Sequence, residues 1–345
     1  MTFLLYFPFW HMSKLIIKQI TFKISLTLKK ILITGGAGFI GSNLSKELLK
    51  DNDYYITAVD NLDRYYPELF KMSNINQFLI NNNFKFYREN ILNVDKLKAI
   101  FERESPDIVI HLAAKVGIRE SFKNPKEFEE TNIRGTNNVL LLSSKLKVNK
   151  FIFASSSSVY GADKPIPFSE EQKITFQISP YASSKMSGEL LCRKFHNLSR
   201  INIIILRLFS VYGPLGRPDM VPYRLVESIY KSKKFNKFGN GDSERDYTSI
   251  EDLIIGFISV IEKNFGFEII NLGTGTSTSL NDLIRTTEEL IGKKAIINSL
   301  PAQKGDIQKV KADITKAKKI LDFNPQYNLI NGMKSFINWY RENRL

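Results

Sequence analysis

The stretch TGGAGFIG, residues 34–41, constrains this chain more than any other part of it. It follows the short apolar run ILIT (31–34) and opens the amphipathic FIGSNLSKELLK, after which YYITAVD (54–60) reads as a second strand. Strand, glycine turn, helix and strand together make a βαβ unit. Gly35, Gly38 and Gly41 recur at a spacing of three, and Gly36, Gly38 and Gly41 also satisfy G-x-G-x-x-G. Such a turn needs a positive φ, a backbone that can approach a pyrophosphate, and a helix packed tightly on its strand. The unpaired N–H groups of that helix then face the phosphates. Asp60 ends the second strand, 24 residues after Gly36. A carboxylate there hydrogen-bonds ribose hydroxyls and repels a 2′-phosphate, which favours NAD over NADP as cofactor.

The same alternation continues. FKFYREN (84–90) reads as a third strand, with a helix around 94–104 after it. DIVIHLAA (107–114) is a fourth, and its continuous apolar character suits a strand covered on both faces. A helix over about 126–146 leads to FIFAS, the fifth strand; another from Tyr181 to Leu198 leads to INIIILRLF (201–209), the sixth. Strands and helices alternating at this length predict an α/β fold: a doubly wound parallel (Rossmann) sheet with a smaller C-terminal substrate-binding region. The expected division is an NAD-binding domain over 30–208 and a mainly substrate-binding region over 209–345, some of whose elements return to the Rossmann domain. Residues 1–29 stand apart as an N-terminal extension. MTFLLYFPFW is apolar, but Pro8 interrupts it and Lys14 follows, short of the roughly 20 residues that span a bilayer. No transmembrane span is expected, and an interfacial anchor or an inert extension remain the two readings.

Composition narrows the partners. The net charge of +14 allows a basic surface for nucleic acid or a field that draws in a small anion. Lysines spread along the whole chain are equally a solvated surface, and no nucleic acid is expected. Cys192 is the single cysteine, which excludes an internal disulfide and fits a reducing, cytoplasmic compartment. His11, His111 and His196 are scattered without metal-ligand spacing, so no metal is expected.

Two further segments carry chemistry. YASSK sets Tyr181 and Lys185 four apart, on one face of a helix. In a chain with 14 tyrosines the pair alone is equally a surface helix with a snorkelling lysine. Beside a dinucleotide it means more. A phenol of pKa about 10 is a poor base near neutrality, but an adjacent ammonium and an oxidised nicotinamide both favour its anion. FIFASSSSVYG (151–161) runs a buried strand into four serines, Ser155 to Ser158, where open α/β sheets place their chemistry. A small hydroxyl there can donate to a reacting oxygen without filling the substrate's space.

TGGAGFIG, Asp60, HLAA (111–114), ASSSSVYG, YASSK, LRLFSVYGPLGRPDM and RDYTSIED stand in the order found in the extended short-chain dehydrogenase/reductase family of NAD-dependent epimerases and dehydratases. From Lys30 to its end the chain resembles that family. Within it the chain is most similar to the nucleotide-sugar 4-epimerases, on DNLDRYY, the unbroken serine run and GRPDM after VYGP. The resemblance implies an isomerase that interconverts UDP-glucuronate and UDP-galacturonate by transient oxidation at C4, acting in polysaccharide biosynthesis as a homodimer. UDP-glucose or UDP-N-acetylglucosamine are the alternative sugars, and a nucleotide-sugar 4,6-dehydratase is the more distant alternative.

By resemblance Tyr181 is the base, Lys185 its partner and a nicotinamide-ribose ligand, and Ser156 the hydroxyl that assists at O4. Ser157, Ser158, Ser210 and Arg217 would surround the sugar and its carboxylate or the nearby phosphate, while Arg245 and Arg119 would meet the diphosphate. Cofactor contacts would come from Gly35, Gly38, Phe39, Ile40 and Gly41 of the turn, from Asp60 and Asn61, from Asn90 and Ile91, and from Leu112, Ala113 and Ala114. Asn90 replaces the family's usual Asp, and Ser210 replaces a Thr or Asn, which leaves the preference at the sugar C6 open. Ser157 and Ser158 are neutral where a dehydratase needs an acid and a carboxylate base, which argues for epimerisation.

Overall fold

The computed structural model describes residues 28–162, 164–174, 177–302 and 307–345. The expected N-terminal extension lies outside these residues except at its end, where Lys29 already opens the first strand. From there run β1 (Lys29–Thr34), α1 (Phe39–Leu48), β2 (Tyr54–Asp60), α2 (Glu68–Ile75), β3 (Phe84–Arg88), α3 (Val94–Glu104) and β4 (Ile108–His111). Short helices α4 (Ile118–Lys123) and α5 (Pro125–Glu129) pass through a π-helical stretch, Glu130–Gly135, into α6 (Thr136–Lys145). Then come β5 (Lys150–Ser156), α7 (Pro180–Ser199) and β6 (Asn202–Leu208).

The remainder is β7 (Ser210–Tyr212), α8 (Val221–Tyr230), β8 (Lys234–Phe238), β9 (Glu244–Arg245) and β10 (Tyr247–Ser249). After it follow α9 (Ile250–Glu262), β11 (Phe267–Leu272), β12 (Thr278–Ser279), α10 (Leu280–Ile291), β13 (Ile296–Leu300), α11 (Thr315–Leu321) and α12 (Leu329–Arg344).

Seven strands form one sheet in the order β11-β6-β5-β4-β1-β2-β3, every pair parallel. The alternating side chains of these strands explain why both faces are covered. Ile31, Ile33, Ile110, Ile152 and Ile204 enter one apolar cluster, while Leu32, Val109, Phe151, Phe153 and Ile203 enter the other. The strand order reverses between β1 and β4, which opens a crevice at their carboxyl ends.

Beyond β6 the chain builds a smaller region around a third cluster, including Tyr212, Tyr223, Phe235, Leu283, Phe336 and Tyr340. FEIINL does not belong to that cover. As β11 it pairs with β6 and completes the far edge of the central sheet, a pairing across about 60 residues that local pattern cannot specify. Among the described residues no helix is long and apolar enough to cross a membrane.

Candidate active site

The glycine turn works by close approach. Gly35 sits at φ +73°, and a Cβ there would lie 2.8 Å from the Ala113 nitrogen. A Cβ on Gly41 would lie 2.5 Å from the Gly35 carbonyl oxygen, so α1 can seat on the turn only without one. Gly38 precedes α1 and no side chain caps that helix; Gly38, Phe39, Ile40 and Gly41 line a cavity with first-turn N–H groups at its wall.

Asp60, at the end of β2, accepts from the Ala37 N–H at 3.2 Å and the Leu62 N–H at 2.8 Å. Its carboxylate therefore props the turn as well as opening on the cavity. Burial pushes its pKa up, against the Lys71 ammonium and those two donors. Asn61, Asn90, Ile91, Leu112, Ala113 and Ala114 complete this half. The Asn90 side-chain oxygen accepts from the Leu92 N–H at 2.9 Å. A turn that a Cβ would fill, an uncapped helix start and a carboxylate at the second strand's end fit a dinucleotide.

The reacting groups come from α7 and the end of β5. Ser179 caps α7, accepting from the Ala182 N–H at 3.1 Å, and Pro180 starts it. One turn in, Lys185 donates to the Ala154 carbonyl at 2.8 Å. Tyr181 packs edge-on against Phe128 with ring centroids 6.2 Å apart. The Ser156 hydroxyl accepts from the Ser158 N–H at 3.1 Å, which leaves its proton free to face the Tyr181 phenol, whose pKa it helps to lower.

The electrostatics differ from expectation. Burial raises the Tyr181 phenol, and the groups that pull it back down are Ser156 and the Arg217 guanidinium. Lys185 is not among them, because its ammonium is turned to the Ala154 carbonyl. Burial also pushes Lys185 itself down to about 8.

The four serines have separate work. Ser155 is buried and donates to Glu189 at 2.5 Å, and Glu189 in turn takes both a 3.0 Å and a 2.7 Å bond from Arg207. Ser156 faces the phenol, and Ser157 opens on the cavity. The Ser158 hydroxyl is buried with no partner among the described residues. A polar atom left so is costly unless something else fills the bond.

The sugar-side wall comes from the smaller region. Ser210 stands opposite Tyr247 in the β7–β10 pair, and its N–H donates to the Asp246 carbonyl at 3.0 Å. Arg217 forks onto Asp219, Nε to Oδ1 at 2.9 Å and Nη2 to Oδ2 at 3.0 Å. Arg245 lies in β9, and Arg119 stacks 4.9 Å above the Phe238 ring.

Every site residue expected from sequence lines one cavity of about 940 Å³. Its walls also hold three residues that sequence reasoning missed. Asp219 occupies the Arg217 fork, Tyr65 donates to Asp219 at 3.2 Å, and Lys115 bridges Asp63 at 3.0 Å and Glu127 at 2.8 Å. An Arg and an Asp two apart in the turn-rich GRPDM were the available signal for Asp219. Tyr65 lies in DNLDRYY, a segment noted for its resemblance but given no role, and nothing local marked Lys115.

Residues 31–273 match the model of the NAD dependent epimerase/dehydratase family. A UDP-glucuronate 4-epimerase of Thermodesulfobacterium geofontis is 43% identical over 313 residues, 90% of this chain and 96% of that one. The crystal structure of a UDP-glucuronic acid 4-epimerase from Bacillus cereus, in complex with UDP-glucuronic acid and NAD, superposes with TM-score 0.86 at 38% identity, covering 91% of this chain and 99% of that one. A UDP-glucose 4-epimerase from Thermotoga maritima, with UDP-glucose, reaches TM-score 0.83 at 32% identity over 91% and 99% of the two chains.

Proposed function

The chain belongs to the NAD dependent epimerase/dehydratase family, and from that premise we propose that it is a UDP-sugar 4-epimerase interconverting UDP-glucuronate and UDP-galacturonate. The observation that carries the reading is the meeting of Tyr181, Ser156 and Lys185 at the carboxyl end of β5, in one cavity with the glycine turn and the serine cluster. Bound NAD, cradled by the turn and Asp60, supplies a hydride acceptor and donor for the sugar C4.

The chain's own groups handle the proton and the pose. Tyr181 Oη takes the O4 proton while Ser156 Oγ donates to the same oxygen, and Tyr181 returns the proton when C4 is reduced from its other face. Lys185, one turn on from Tyr181 and bonded to the Ala154 carbonyl, lines the same cavity and offers its ammonium to the nicotinamide ribose. Ser157, Ser158 and Ser210 offer hydroxyls to the sugar, the unpartnered Ser158 being the one most in need of an acceptor or donor. No carboxyl side chain stands at 157 or 158 to eliminate water, so the keto sugar is reduced again rather than dehydrated. Arg217 supports an acidic C6, since a planar guanidinium suits paired oxygens. Arg245 and Arg119 favour the diphosphate end.

The test is product identity. Incubated with NAD and UDP-glucuronate, the protein forms UDP-galacturonate, resolved by NMR, and Tyr181→Phe lowers the rate by about two to four orders of magnitude. Turnover of UDP-glucose without UDP-glucuronate would shift the reading to the neutral sugar. Full activity in Tyr181→Phe would remove the base assignment.

A further inference from the structure

Arg217 is not presented to the cavity as a bare charge. Its Nε and Nη2 are both committed to one carboxylate, that of Asp219, in a two-bond fork of 2.9 and 3.0 Å. That is the geometry a sugar carboxylate would use on the same group. Asp219 is held there from the opposite side of the site, because Tyr65, in the loop after β2, donates to its Oδ2 at 3.2 Å. The pair sits in the tight segment after β7, where the Gly216 N–H bonds the Gly213 carbonyl and the Met220 N–H bonds the Arg217 carbonyl. About 22% of the Arg217 side chain and 32% of that of Asp219 remain exposed, and both line the cavity with Tyr181 and Ser158.

We propose that Asp219 is a positioning residue that sets the charge of the sugar pocket: by balancing Arg217 it governs how strongly the site favours an acidic over a neutral sugar and how readily Tyr181 gives up its proton. The proposal rests on the epimerase reading above.

The physical basis is Coulombic. A carboxylate already on the guanidinium repels an arriving sugar carboxylate and offsets the attraction of Arg217 for it. Arg217 also pulls the Tyr181 phenol down, and Asp219 lines the same cavity wall two residues on from Arg217. Burial works to raise the Asp219 carboxyl, but the Arg217 fork outweighs it and holds the group below its usual range, ionised at working pH. Other ionisable groups around this array include Tyr66, which both Arg217 and Asp219 reach and on which Asp60 also acts, Lys185, turned to the Ala154 carbonyl, Tyr65 itself, and Glu120, whose charge reaches Tyr65.

The experiment compares wild type, Asp219→Asn, Asp219→Glu, Arg217→Gln and the Arg217→Gln/Asp219→Asn double variant. Each is assayed with NAD for kcat/KM on UDP-glucuronate and UDP-glucose across the acid limb of the pH profile. Removing the balancing charge in Asp219→Asn is expected to move that limb about half a pH unit to lower pH and to raise the acidic-to-neutral kcat/KM ratio about threefold. Asp219→Glu, which keeps the charge, retains the wild-type limb and ratio. On the Arg217→Gln background, Asp219→Asn still raises the ratio, from a lower starting value, since the carboxylate repels the sugar's own with or without Arg217. An unchanged limb and ratio in Asp219→Asn, or a shift in the charge-keeping Asp219→Glu as large as in Asp219→Asn, overturns the proposal. Loss of UDP-glucuronate turnover already in wild type would instead sink the epimerase reading for that sugar, and the limb measured on UDP-glucose would still test Asp219.

Discussion

The imidazole of His111 ends β4 between two hydroxyls, Thr34 Oγ1 at 2.6 Å from Nδ1 and Thr136 Oγ1 at 2.9 Å from Nε2. Thr136 spends its own proton on the Asn132 carbonyl, so it accepts from the ring and the neutral Nε2–H tautomer follows. Burial, with a smaller push from the Lys185 charge, lowers the ring's pKa from 6.5 to about 3. The unfolded chain therefore binds a proton that the folded one refuses, and stability falls as pH drops below 6.5, by about 1.4 kcal/mol per unit from this group. In His111→Gln the melting temperature should fall less steeply between neutral pH and mild acid than in wild type. Parallel melting curves for the two proteins would refute it. The ring joins the ends of β1 and β4 to the start of α6, behind the residues that line the cavity.

Helix α7 acts as a unit because one face carries Tyr181, Lys185, Gly188 and Glu189, all toward β5 and β6. Lys185 and Glu189 bond to β5 at Ala154 and Ser155, and Arg207 of β6 closes on Glu189. Gly188 permits the approach: a Cβ there would lie 2.4 Å from the Phe153 ring. Helix propensity alone would make Gly188→Ala stabilising by about 1 kcal/mol. Overpacking against Phe153 predicts the opposite sign, a loss of about 1–3 kcal/mol. Because Tyr181 on the helix and Ser156 at the strand end face one cavity across this gap, kcat should fall more than KM rises. Urea denaturation and steady-state kinetics decide between the two signs.

On the scale of the whole molecule, Asp246 locks the smaller region to the sheet. It is fully buried and accepts from the Thr274 N–H and hydroxyl, both at 2.8 Å, the Gly275 N–H at 3.0 Å and the Ala312 N–H at 3.1 Å. These donors come from the turn after β11 and from the strand-like segment before α11. Burial raises the carboxyl's pKa while the donors oppose it. Asp246→Asn turns an amide N–H₂ toward donors, and about 2–4 kcal/mol of stability should be lost. Arg245, its chain neighbour, would lose its setting, so KM should rise as well. A variant that melts like wild type with unchanged KM would show that the lock is unnecessary.

Much of the fold and site is legible in the sequence. The glycine turn, Asp60, and Tyr181 with Lys185 each depend on spacing within one or two adjacent elements, where local sterics and helix or strand periodicity dictate position. These residues line one cavity, and so do Ser210, Arg217, Arg245 and Arg119, to which only the family resemblance pointed. Folding in space decided the rest. β11 closes the sheet beside β6, Asp219 and Tyr65 meet across 154 residues of chain, and the phenol answers to Ser156 and Arg217, with no pull from Lys185. Ion pairs and protonation depend on through-space distance and on exclusion of water, and residue order along the chain carries neither.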